Sequence, residues 1–257
     1  MTGLYFSGTG NTKHCLEYLL KLLDENAQSY SIENEEAKTA ILSSDEIIFA
    51  YPVYYSNLPK IVNDFIVNNS TVWKNKKIFI VATMGLFSGD GAGCAARLFK
   101  KYGAKISGGL HLKMPDCIGD VKLLKKPLEA NRKIIAKSDE RIEKAAKQIT
   151  EGKYPKNGLS FASRLIGLLG QRLYFRKMTK RYYCGIKTDF SKCIACGLCA
   201  KICPMKNISV KDSAVSFNGK CTMCYRCFSN CPKQAITIIG KKVYEQSKFD
   251  KYKSVGD

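Results

Sequence analysis

Eight of the twelve cysteines in this 257-residue chain fall in two runs, "KCIACGLCAKICP" from Lys192 to Pro204 and "KCTMCYRCFSNCP" from Lys220 to Pro232. Each run spaces its thiols C-x2-C-x2-C-x3-C and ends on proline, and every cysteine of the second lies 28 residues after its counterpart in the first. The match continues past the prolines as "NISV" from Asn207 and "AITI" from Ala235, so the chain holds an internal repeat whose units each carry a short strand-like tail. Two units built alike imply a pseudo-twofold pair of sites.

Thiols in this number form disulfides, zinc sites or iron-sulfur clusters. The opening "MTGLYFSGTG" has neither the basic start nor the apolar core of a signal peptide, and no window reaches the ~18 apolar residues of a membrane span. The expected location is therefore cytoplasmic, where thiols stay reduced. Zinc usually takes ligand pairs from two separated segments, whereas here a third cysteine follows at once and a fourth precedes proline. The spacing is that of two-cluster runs, in which three close thiolates hold one iron-sulfide cube and the fourth reaches the other. It groups Cys193, Cys196 and Cys199 with Cys231, and Cys221, Cys224 and Cys227 with Cys203, as ligands of two 4Fe-4S clusters. Over Thr188 to Gly240 the chain resembles the bacterial two-cluster ferredoxins, which implies a small α+β domain. Cys15, Cys94, Cys117 and Cys184 fit no ligand spacing and read as ordinary buried thiols.

The chain is far longer than such a domain needs, so a second core must precede it. Its start reads "LYFSGTGNT", a short apolar strand and a loop of glycines and hydroxyls, followed by helical spacing of Cys15, Leu16, Leu19, Leu20 and Leu23. Backbone N–H groups and a helix N-terminus meet at that loop, which suits phosphate. Unbroken apolar runs at Ile47–Tyr51, Ile78–Thr83 and Gly108–Leu112 predict buried parallel strands. Helical patterns from Pro59, Gly91 and Pro127 separate and follow them, which gives an α/β doubly wound parallel sheet with its ligand at the carboxyl ends of the strands.

Two further loops, "YPVYYSNLP" and "TMGLFSGDGAG", leave strands on that same rim. Residues 1–152 thereby resemble flavodoxin, whose phosphate loop S/T-x-T-G-x-T is matched by "SGTGNT". The resemblance implies bound FMN. Position by position, it implies that Ser7, Thr9, Gly10, Asn11 and Thr12 cradle the phosphate without a cationic side chain. Pro52, Tyr54, Tyr55 and Ser56, with Thr83, Gly85 and Phe87, would border the ring. Flavodoxins are commonly acidic around the ring, whereas Asp90 is the one acid in this second loop.

Residues 153–187 form a basic helical linker before the cluster domain at 188–240, and a polar tail at 241–257 is expected to fray. From Lys153 to Thr188 the chain carries nine Lys or Arg and no acid, a large share of the net charge of +20. Leu165, Ile166, Leu169 and Leu173 share one helix face, near Arg172, Arg176, Lys177 and Lys180. The expectation is a connecting helix packed across both domains with its charges solvated. The same charge suits docking of an acidic redox protein, and it leaves open peripheral contact with an acidic membrane surface. No nucleic-acid partner is expected. His14 and His111 read as packing residues.

As a whole the chain resembles the fused flavodoxin-ferredoxin proteins found mainly in anaerobic bacteria and archaea. That resemblance implies electron transfer between two 4Fe-4S clusters and FMN, linking a low-potential donor to a redox partner without any catalytic side chain. One alternative is an FMN-dependent reductase of a quinone or nitro compound, which needs an open pocket near Tyr54 and Phe87. Another is a redox-sensing binding module that uses the basic linker.

Overall fold

The computed structural model describes residues 1–175 and 185–252. Five parallel strands, β1 (Thr2–Tyr5), β2 (Gln28–Ser31), β3 (Glu46–Pro52), β4 (Lys77–Met84) and β5 (Lys105–Lys113), form one sheet in the order β2-β1-β3-β4-β5. Helices α1 (Asn11–Leu23), α2 (Glu36–Ser43), α3 (Lys60–Asn68), α4 (Gly91–Lys101) and α5 (Leu128–Thr150) alternate with and follow them. This is the flavodoxin-like doubly wound order, with the three expected apolar runs inside β3, β4 and β5.

The runs are unbroken because both faces are covered. Ile47, Phe49 and Tyr51 pack with Trp73 and Phe99 on one side, while Ile48 and Ala50 pack with Leu16, Leu19 and Ile142 on the other. At the β5 edge the chain leaving α5 turns back, and Gly109 and Asn157 exchange backbone bonds with Pro155 and Gly109, each at 2.8 Å. A Cβ at Gly108 would lie 2.5 Å from the Pro155 carbonyl, so glycine permits this covering of the edge.

The linker then forms α6 (Phe161–Gly167), capped by Ser160 and continued by a π-helical turn at Leu168–Arg172. Its orientation corrects the expectation. Leu165, Ile166, Leu169 and Leu173 are 46%, 52%, 59% and 52% exposed, whereas Arg172 is paired with the fully buried Asp90. The reason is a long-range contact: Gly167 presses on Gly89 and Asp90, and the buried carboxylate, already paired with Arg97, also draws in Arg172. Arg176, Lys177, Lys180 and Cys184 lie outside the described residues.

In the second domain β6 (Lys187–Thr188) pairs antiparallel with β9 (Ile236–Thr237), and β7 (Ile208–Lys211) forms a hairpin with β8 (Ala214–Phe217). Two short helices, α7 (Leu198–Lys201) and α8 (Arg226–Asn230), complete a ferredoxin-like α+β unit. The sequence repeat is written into the backbone. Left-handed residues recur 28 positions apart at Ala195 and Met223 (φ 50° and 59°), Gly197 and Tyr225 (73° and 57°), and Lys206 and Gln234 (47° and 50°).

The tail is not frayed through Tyr252. Phe249 and Tyr252 are buried in the α1–α5 core, and the Phe249 ring stacks on His14 at 4.1 Å. The apolar side chains of this short polar stretch are what return it to the first domain.

Candidate functional site

Gly10, with φ of 100°, turns the chain from β1 into α1, and its N–H donates to Ser7 Oγ at 3.1 Å. No side chain caps α1 and no acid sits in its first turn, so its leading N–H groups are free for an anion. Thr12 Oγ1 meets Thr83 Oγ1 at 2.7 Å, which ties the loop to the end of β4. Asn11 Nδ2 donates to the Pro115 carbonyl at 2.8 Å and leaves Asn11 Oδ1 buried without a partner. That orphaned acceptor, beside uncapped donors, suits a ligand carrying both phosphate and hydroxyl groups.

The loop opens into a cleft at the carboxyl ends of the strands. Ser7, Thr9, Asn11, Thr12, Pro52, Tyr54, Tyr55, Thr83, Gly85 and Phe87 line it together. Gly10 and Ser56 do not. Gly10 faces the tail, where an added Cβ would stand 2.8 Å from Phe249 Cβ, and Ser56 is buried with its carbonyl accepting from Arg172 at 3.3 Å. Tyr54 and Asn57 exchange backbone bonds around Tyr55 and Ser56, both left-handed, in a tight turn of the type usually given to glycine and asparagine. The turn carries Tyr55 against Phe175 of the linker, with ring centres 4.5 Å apart. Burial pushes the Tyr54 hydroxyl well above its usual range.

Sequence reasoning missed three contributors to this cleft. The segment after β5 brings Asp116 and Cys117, the linker brings Phe175, and the cysteine repeat brings Met223, Cys224 and Tyr225. The first was accessible from topology, since that segment leaves a parallel strand on the same rim. Asp116 Oδ1 accepts from the Ile118 N–H at 2.9 Å, and burial raises its carboxyl above the ordinary value. Asp90, the one acid of the second loop, pairs with Arg97 at 2.8 Å and with Arg172 and does not line the cleft.

The eight repeat cysteines line two cavities. One is walled by Cys193, Cys196, Cys199 and Cys231; the other by Cys203, Cys221, Cys224 and Cys227. Three cysteines of one run thus meet the last of the other, in both directions. Asn207 and Ala235, 28 residues apart, donate their N–H groups to Cys203 and Cys231 sulfur, each at 3.3 Å. Burial pushes the thiols of Cys221, Cys224 and Cys227 up, Cys224 to about 12, and bound cationic metal is what holds such buried sulfur as thiolate. Among the described residues no three Cys, His, Asp or Glu side chains converge as ligands of a single ion.

Residues 4–107 match the family model of a flavodoxin domain, and residues 192–236 match that of a 4Fe-4S dicluster domain. The chain joins these two domains. The flavodoxin domain implies FMN and the dicluster domain implies iron-sulfur clusters, which together mark an electron-transfer protein. An uncharacterised ferredoxin of Methanocaldococcus jannaschii is 30% identical over 74 residues, covering 26% of this chain and 47% of that protein. The chain thus spans about half the length of that relative. Among solved structures, the two-electron reduced flavodoxin of Megasphaera elsdenii is 22% identical with a TM-score of 0.43, covering 57% of this chain and 99% of its own. Oxidised flavodoxin 2 of Bacillus cereus is 17% identical with a TM-score of 0.44, covering 58% and 97%.

The flavodoxin and dicluster domains meet at the phosphate loop. A Cβ on Gly8 would stand 2.1 Å from the Cys224 carbonyl oxygen, so only glycine admits the cysteine loop here. Arg226 donates to the Ser7 carbonyl at 2.9 Å and to both Glu33 oxygens at 2.6 Å. Asp120, buried after β5, accepts from Tyr225 Oη at 2.9 Å and from the N–H groups of Ile238, Ile239 and Gly240 at 2.7, 2.9 and 3.0 Å.

Proposed function

We propose that this chain passes electrons between FMN in the cleft and two 4Fe-4S clusters in the cysteine cavities, linking a low-potential donor to a redox partner. One observation carries the reading: Cys224 lines both the cleft and the cavity of Cys203, Cys221 and Cys227. Tyr225 beside it lines both as well, so two adjoining residues form the wall common to the two sites, and electron tunnelling weakens steeply with distance.

When bound, FMN exchanges electrons singly or in pairs, whereas an iron-sulfur cluster moves one at a time. The chain's residues supply the rest. Ser7, Thr9, Asn11 and Thr12 hold the phosphate and the sugar alcohol with N–H and hydroxyl groups. Tyr54, Tyr55 and Phe87 line the cleft and would border the ring, with Phe175 packed against Tyr55 at one side. Cys203, Cys221, Cys224 and Cys227 hold the inner cluster, next to the flavin. Cys193, Cys196, Cys199 and Cys231 hold the outer one, where Cys196 is exposed and Ile194 and Phe190 are 57% and 66% exposed. Exposed Lys233 lines that outer site, and exposed Lys187 and Lys201 lie close to its lining residues in the chain, which suits an acidic redox protein.

The exposed Leu86 and Phe87 at the cleft favour a second reading, direct reduction of a small acceptor such as a quinone at the FMN face. The test separates the two. Protein purified without oxygen should hold about eight irons and one FMN, the content that two four-iron clusters and one phosphate loop require. Mixed with a reduced ferredoxin, its FMN should be reduced rapidly. Cys224→Ser should lose about half the iron and slow that reduction at least about tenfold, the inner cluster being the flavin's neighbour. FMN reduction at the original rate in this variant would overturn the cluster route. Steady turnover of a quinone by the unaltered protein alone would favour the second reading.

A further inference from the structure

We infer that Thr222 and Asn207 set the reduction potential of the inner cluster by donating hydrogen bonds to it, an inference that rests on the electron-transfer reading above. The two halves of the repeat part company at two positions that line the cysteine cavities. Thr222 and Asn207 line the inner cavity, whereas their counterparts 28 residues away, Ile194 and Ala235, line the outer one. Polar side chains thus stand at one site where the other has apolar ones.

Both inner side chains are buried and short of a partner. Thr222 is 2% and Asn207 1% exposed, and Thr222 Oγ1 and Asn207 Nδ2 bond no atom of the chain. The amide has one orientation, because Asn207 Oδ1 accepts the N–H of Lys220 at 2.5 Å and Nδ2 is left as the donor end. Buried donors are ordinarily satisfied, and the acceptors these two lack are what cluster sulfur supplies.

Backbone donors do not make the difference, since Asn207 and Ala235 reach Cys203 and Cys231 sulfur at the same 3.3 Å. The outer cavity has one orphaned hydroxyl, Thr188 Oγ1, against two orphaned donors at the inner one.

The effect has a sign. Reduction adds negative charge to a cluster, and burial opposes that charge. Cys221, Cys224 and Cys227 are buried while Cys196 is exposed, so burial alone makes the inner cluster the harder to reduce. Donors aimed at sulfur stabilise the added charge and raise the potential. Thr222 and Asn207 thus offset the burial and let the inner cluster gain the one electron that the outer cluster loses, with no bond or proton moving.

The test is an EPR-monitored redox titration of the full chain, purified without oxygen and holding both clusters, the inner one identified by its loss in Cys224→Ser. Thr222→Val removes the hydroxyl at constant shape, and Asn207→Asp keeps the acceptor for Lys220 while removing the donor. Each should shift the sharing of an electron at least about threefold toward the outer cluster, tenfold being about 59 mV for a one-electron couple. Thr222→Ser keeps the hydroxyl and should keep the original potential, and the outer potential should not move in any variant. An unmoved inner potential in either Thr222→Val or Asn207→Asp would overturn the inference, as would an equal fall at both clusters, the mark of general loosening. Should Thr222→Val lose iron, Asn207→Asp decides by the same criterion. A chain that takes up no iron would overturn the electron-transfer reading itself, whereas about eight irons with unmoved potentials would overturn this inference alone.

Discussion

Arg226 donates from Nη2 to the carbonyl oxygen of Ser7 at 2.9 Å, joining the residue two places after Cys224 to the first residue of the phosphate loop. The same guanidinium grips both Glu33 oxygens at 2.6 Å, a two-point geometry that lysine cannot copy. This side chain is one of the ties that hold the cleft against the inner cysteine cavity.

Arg226→Ala removes these bonds while leaving all eight cysteines in place. It should weaken docking of the domains by about 2–4 kcal/mol, the range for a partly buried, charge-assisted pair. Denaturant unfolding followed by flavin fluorescence and by cluster absorbance should coincide in the original protein and separate in the variant. Coincident transitions at an unchanged midpoint would remove Arg226 from this role.

Asp120 acts from the other side of the interface, where its buried carboxylate serves Tyr225 and three successive N–H groups. Asp120→Ala should cost about 3–5 kcal/mol, because four donors lose a charged acceptor at once. Asp120→Asn keeps the shape and part of the bonding, so it should cost less. The comparison is made from denaturation midpoints read at the cluster absorbance; a cost below about 1 kcal/mol would contradict the clamp.

Asp116 shows how charge in the cleft can be read by two independent measurements. Its carboxyl is raised above the unfolded value by burial, partly opposed by Lys126 and by the N–H groups of Ile118 and Cys117. Such a group costs nothing below the unfolded pKa and destabilises increasingly as pH rises through the folded one. Asp116→Asn should therefore equal the original protein in stability in acid and exceed it at neutral pH. Removing the negative charge should also raise the FMN midpoint potential. A potential that stays put would mean that the carboxylate does not face the ring.

How much of this was legible follows from how far apart the deciding contacts lie in the chain. β3, β4 and the thiols could be read locally: Ile47–Tyr51 is an apolar run whatever surrounds it, and Cys193 to Cys203 carry their grouping in their spacing. The linker could not be read that way. Helical periodicity puts Leu165 and Leu169 on one face but does not say which way that face turns, and the Asp90–Arg172 pair that decides it spans 82 residues. Phe249 failed for the same reason, since a polar stretch packs only because His14 and Thr9 wait at the far end of the chain. Phe175 and Cys224 line the cleft from the linker and the cysteine repeat, far along the chain from Tyr54 and Tyr55.

His111 gives a stability test that is independent of either cofactor. Its Nε2 accepts the Ala92 N–H at 3.1 Å at the start of α4, and Nδ1 lies 3.3 Å from Ser88 Oγ, so the fold requires the neutral ring. Burial, with Arg141 assisting and Asp90 opposing, lowers its pKa from 6.5 to about 4. Above 6.5 the ring is neutral folded and unfolded, and its full contribution is present. As pH falls from 6.5 toward 4 the unfolded chain takes a proton that the fold excludes, so stability drops by about 1.4 kcal/mol per pH unit. His111→Gln can still accept from Ala92 but does not titrate. Between pH 7.5 and pH 5 the original protein should lose about 2 kcal/mol more than this variant in urea unfolding. Equal losses would mean that His111 takes its proton in the folded state, which the bond from Ala92 forbids.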